Sequence, residues 1–158
     1  MPVKASLLAA LAFGACAAQP PTPEMTPETG ISFVHGCWVE KQEPGGPALG
    51  FLRLLPEGQE YVGMQSRLVE GEMQVVGKFA LARDGSYLKI TKPDGETGVF
   101  VASRPVEQRA PDRSVAEFSR TTAAADESVV VYGEPERLGF AYSEGVLSFL
   151  LFERDGCD

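Results

Sequence analysis

The feature that most constrains this chain is its punctuation. Glu70-Gly71, Asp84-Gly85, Pro93-Asp94-Gly95 and Ser143-Glu144-Gly145 each separate two runs rich in β-branched and aromatic residues. Glycine supplies the positive φ that a tight hairpin turn needs, so these pairs predict antiparallel neighbours. Seventeen glycines and twelve prolines leave little room for long helices. The predicted strands are Ser32–Lys41, Ala48–Leu55, Tyr61–Val69, Met73–Arg83, Tyr87–Thr91, Thr97–Ala102, Val115–Thr121, Ser128–Tyr132, Leu138–Tyr142 and Val146–Arg154. Pro56-Glu57-Gly58 ends the second of them, and Ser103 to Arg113, with two prolines and several charges, is predicted as an exposed loop or insertion. Strand-like runs about 8–12 residues apart indicate a sandwich or a barrel.

Residues 1–15 carry one charge, Lys4, ahead of a short apolar run. That run is too short to span a bilayer and has the form of a secretory signal peptide. Phe13-Gly14-Ala15-Cys16 resembles a bacterial lipobox, in which Cys16 would become the lipid attachment site; cleavage after Ala18 is the competing outcome. Residues 16–31 hold Pro20, Pro21, Pro23 and Pro27, a density that keeps chain extended and solvated, and they read as a disordered tether. The folded domain is expected over 32–158. Its location is expected to be the periplasmic side of the cell envelope, lipid-anchored, with a soluble periplasmic or secreted form as the alternative. The net charge of −8 disfavours nucleic acid as a partner. Membrane contact is expected only through the anchor.

Strand parity then relates the two ends of the domain. Trp38 and Cys37 point to opposite faces of the first strand, as Arg154 and Cys157 do on the last. One registration sets Trp38 against Arg154 inside a closed barrel and Cys37 against Cys157 outside it. An arginine over an indole is a cation–π contact, and export permits a Cys37–Cys157 disulfide. Two separate buried thiols are the alternative.

Val34-His35-Gly36-Cys37-Trp38, Leu54-Leu55-Pro56 and Tyr61-Val62-Gly63-Met64-Gln65-Ser66-Arg67 resemble blocks of the lipocalin-like bacterial proteins grouped as domain-of-unknown-function family 6265, here in an exported lipoprotein form. The resemblance implies an all-β, antiparallel, up-and-down lipocalin-like (calycin) barrel of about 8–10 strands. It departs at Tyr132-Gly133-Glu134-Pro135-Glu136-Arg137, where the family carries an Asn-Pro-x-x-Asp-Phe-Pro segment. The family brings no activity with it.

No residue pattern marks catalysis. There is no Gly-x-Ser-x-Gly nucleophile elbow, and His35, the single histidine, has no second metal-ligand residue at useful spacing. No catalytic residue, metal site or cofactor is expected, and the chain is not read as an enzyme. Met64, Phe79, Phe140 and Phe149 are the candidates for lining a ligand cavity. The leading expectation is an envelope-tethered module that binds a small hydrophobic ligand. The alternatives are a module that engages an envelope protein, such as a periplasmic inhibitor or assembly accessory, and a haem-binding barrel resting on His35.

Overall fold

The computed structural model describes residues 30–143 and 147–156. Its strands are β1 Gly36–Lys41, β2 Ala48–Glu57, β3 Glu60–Val69, β4 Glu72–Ala82, β5 Tyr87–Thr91, β6 Thr97–Ala102, β7 Glu107–Ala110, β8 Arg113–Thr121, β9 Asp126–Glu134, β10 Arg137–Ser143 and β11 Leu147–Asp155. Successive strands pair antiparallel, β1 pairs with β11, and β6 pairs with β8. Ten strands thus form a closed up-and-down barrel, as expected, and β7 lies outside the ring. Closure leaves few unpaired backbone edges, the standing hazard of open sheets.

Two-residue periodicity fixes which side chains fill the interior. In β1, Gly36, Trp38 and Glu40 are buried while Cys37, Val39 and Lys41 are only partly covered. In β9 the buried set is Glu127, Val129, Val131 and Gly133. Leu52, Leu54, Leu81, Leu88, Phe118 and Phe152 complete the densest part of the core. Each such side chain contributes about 1.5–3 kcal/mol by leaving water.

Three of the differences from the sequence reading have a clear local reason. The first strand begins at Gly36, not Ser32, because Ser32–Val34 curl into a 3-10 turn. That turn buries Ile31 and Val34 completely and plugs one end of the barrel. The Trp38 Nε1–H donates to the Val34 carbonyl at 2.9 Å, tying plug to wall. The second strand runs through Pro56 to Glu57. Pairing with β1 stops at Leu54, so the missing proline N–H faces no partner strand there. The expected loop at 103–113 contains β7, which pairs with the first residues of β8. β6 occupies only Phe118 and Ser119 of that edge, leaving Arg113–Val115 open to β7.

Candidate functional site

Inside the barrel lies a cavity of about 250 Å³. Phe79, Phe100, Val129 and Phe140 form its buried floor, and Lys92 and Ser148 are exposed where it opens. Phe79 and Phe140 pack ring against ring at 5.6 Å, and Phe140 meets Phe152 edge-on at 6.0 Å. The wall is therefore mostly aromatic and apolar, with polar groups set at particular points.

Two of the four residues expected to line this space do so: Phe79 and Phe140. Met64 and Phe149 do not. Met64 is 51% exposed on the outer face, between Arg53 and Lys78 in the sheet register, because its neighbour Gln65 takes the inward position. Phe149 is 56% exposed and stacks on Tyr132 at 5.7 Å, also outside. Ser148 and Leu150, on the opposite parity of β11, line the cavity instead.

Trp38 and Arg154 are directly opposite in the β1–β11 register, and the guanidinium lies 4.3 Å from the indole centroid. The expected contact is present, but Arg154 is not inside. It is exposed and lies across the plugged end, donating to the Pro135 carbonyl at 2.7 Å and the His35 carbonyl at 3.4 Å. The reason is that β11 ends at Asp155, so Arg154 sits at the rim. Gly36 makes room for it: a Cβ there would come within 2.9 Å of Arg154 Nη1. Cys37 is half-buried and faces Asp155 across the register. Its proposed partner Cys157, like Cys16, lies outside the described residues. His35 is exposed, stacks on Tyr61 at 6.0 Å, and is absent from the cavity lining. Among the described residues no group of three or more histidine, cysteine or acidic side chains is placed to hold a metal.

The polar residues inside the barrel escaped the sequence reading. Glu40 is 3% exposed, accepts from Gln65 Nε2 at 2.8 Å, and pairs with Arg67. Gly50 lies between Glu40 and Arg67 in the register, and a Cβ there would strike Arg67 Cγ at 2.9 Å. Hydrogen bonding to Glu40 raises the Arg67 pKa. The second network starts from Glu127, 4% exposed. It accepts from Arg120 Nε at 2.6 Å and from the Tyr142 hydroxyl at 2.9 Å. The Arg120 hydrogen bond, helped by Tyr142, holds the Glu127 carboxyl below its ordinary range despite burial. Arg120 and Tyr142 both line the cavity. Parity contained the signal: Glu40 is two residues from Trp38, Arg120 two from Phe118, and Glu127 two from Val129.

The β7 flap carries charges already engaged within the fold. Arg113 reaches Glu134 at 2.5 Å, while Arg109 lies 3.5 Å from Glu107 and 3.6 Å from Glu117. No protein-family profile, characterised protein or solved structure matches this chain.

Proposed function

We propose that this protein is a binding module for a small apolar ligand held in the lumen of its barrel, tethered to the cell envelope through Cys16. The supporting observation is the lumen. A small barrel can be filled by its own side chains, whereas this one keeps about 250 Å³ walled by Phe79, Phe100, Val129 and Phe140. Drug-sized ligands occupy sites of about 300–1,000 Å³, so the expected ligand is small. The plugged end, sealed by Ile31, Val34 and the Trp38–Arg154 contact, leaves access from the side of Lys92 and Ser148.

Native mass spectrometry of protein purified from its own envelope should show an added small-molecule mass that organic extraction removes. A mass equal to that of the processed polypeptide and its lipid, in every preparation, together with no uptake of neutral fluorescent apolar probes, would overturn the proposal. The alternative partner surface, the flap at 103–113, has less to offer. Arg109 and Arg113 are spent on Glu107, Glu117 and Glu134 rather than held free.

A further inference from the structure

We infer that the ligand in the lumen is an amphiphile with a carboxylate head, and that Arg120 binds that head; this rests on the lumen reading above. Arg120 is the cation that belongs to the cavity wall, with four-fifths of its side chain covered. It lies with its guanidinium carbon 4.7 Å from the Phe100 ring centroid. Its Nε donates to Glu127 at 2.6 Å, and the Tyr142 hydroxyl stands beside the same guanidinium. Beyond Glu127 and Tyr142, no acceptor among the described residues meets the guanidinium. A guanidinium is a planar fork of five donors, and its Nη edge matches the two oxygens of a carboxylate.

The surroundings keep that edge available. Glu127 holds the opposite edge and is itself fixed by the Tyr142 hydroxyl, so the fork cannot swing freely. Gly98 leaves the space in which Nη1 sits; a Cβ there would be 2.4 Å from it. Glu127 does not line the cavity, so the ligand meets the guanidinium rather than the carboxylate behind it. Lys92, exposed at the opening and paired with Glu96 at 3.0 Å, is a second cation of the lining. The apolar floor of Phe79, Val129 and Phe140 then takes the tail. An acid-headed ligand thus satisfies donors that an apolar ligand would leave without water or partner, which is the costly arrangement.

The test compares octanoate with 1-octanol as displacers of the neutral probe N-phenyl-1-naphthylamine from the full chain at pH 7. Octanoate should displace the probe at a concentration at least about tenfold lower than octanol, since charge-assisted bidentate contacts are the strong ones. Gly98→Ala presses mainly on the end of Arg120, with the Phe100 ring next at 3.1 Å, and should cut that preference, measured as the ratio of the two displacing concentrations, to about threefold or less. The pair Arg120→Gln/Glu127→Gln, which removes both charges together, should abolish it. Equal displacement by octanoate and octanol from the wild-type chain would overturn the head-group assignment while leaving the lumen reading intact. A preference that survives in Gly98→Ala and in the double variant would place the head elsewhere and overturn it too. Failure of the probe to bind the wild-type chain at all would sink the lumen reading beneath it.

Discussion

Glu127 is a carboxylate in a place where carboxylates are expensive. Burial alone would raise its pKa, yet hydrogen bonds from Arg120 first and Tyr142 second lower it below the ordinary 4.5. A group whose folded pKa is depressed binds fewer protons folded than unfolded. Its contribution to stability is therefore present above about pH 4.5 and lost as pH falls through the folded value. Glu127→Gln should cost about 1–3 kcal/mol at pH 7, as expected for breaking a buried charge-assisted bond. The difference from wild type should shrink as pH drops below 4.5. Urea titrations at pH 7 and pH 3 check this, and a difference that stays constant would contradict it. Both proteins keep an acid limb, because Tyr87 and Lys89 also lower the Glu60 carboxyl, and Lys41 lowers that of Glu153. At the plugged end, Arg154→Met should cost about 1 kcal/mol through the lost Trp38 contact. Trp38 emission should shift to longer wavelength as water reaches the indole; an unchanged spectrum would mean that the plug, not Arg154, shields it.

The β3–β4 hairpin turns through Glu70 and Gly71 with φ of 51° and 88°. Both central residues are thus left-handed, the type I′ geometry that matches the twist of paired strands. Glycine accepts this without strain, but glutamate does not, whereas asparagine tolerates it. Glu70→Asn should raise stability by about 0.5–1 kcal/mol with no change in the lumen. A lower melting temperature would show that Glu70 has a role beyond the turn. Turn chemistry is also what made the elements legible. Tyr87–Thr91 and Thr97–Ala102 were readable to the residue because Asp84-Gly85 and Pro93-Asp94-Gly95 bound them. Ser32–Val34 misled because an apolar run that plugs a barrel end is indistinguishable from one that continues a strand. The cavity residues were legible only in part. In β11 both faces are apolar mid-strand, so composition did not separate Phe149 from Leu150; only the registration that turns Arg154 inward puts Leu150, four residues earlier, on the inner face. In β3 the usual pattern is inverted. Gln65 is buried to serve Glu40, and Met64 is left outside.

At the scale of the molecule, closure is the organising fact. The β1–β11 pairing joins the two ends of the domain, setting Trp38 against Arg154 and Cys37 against Asp155, two residues before Cys157. A Cys37–Cys157 bridge would lock that seam, contributing about 4–5 kcal/mol on the chain-entropy account. Peptide mapping without reductant should recover the two cysteines in one linked fragment, and recovery of both as alkylatable thiols would refute the bridge. Closure also separates two apolar surfaces that any probe could report. One is the lumen. The other is the outer face, where Phe51 and Met64 are exposed among Arg53, Val62 and Lys78.

The most direct test of the lumen as the binding site is probe titration against variants that fill one surface or the other. Val129→Phe and Leu150→Phe put extra volume into the cavity, whereas Phe51→Ser/Met64→Ser removes the outer apolar face. Saturable binding of N-phenyl-1-naphthylamine, one per chain, should be lost in either filled variant, provided each unfolds cooperatively, and kept in the outer double variant. Binding that survives filling of the lumen and disappears with Phe51 and Met64 would contradict the account.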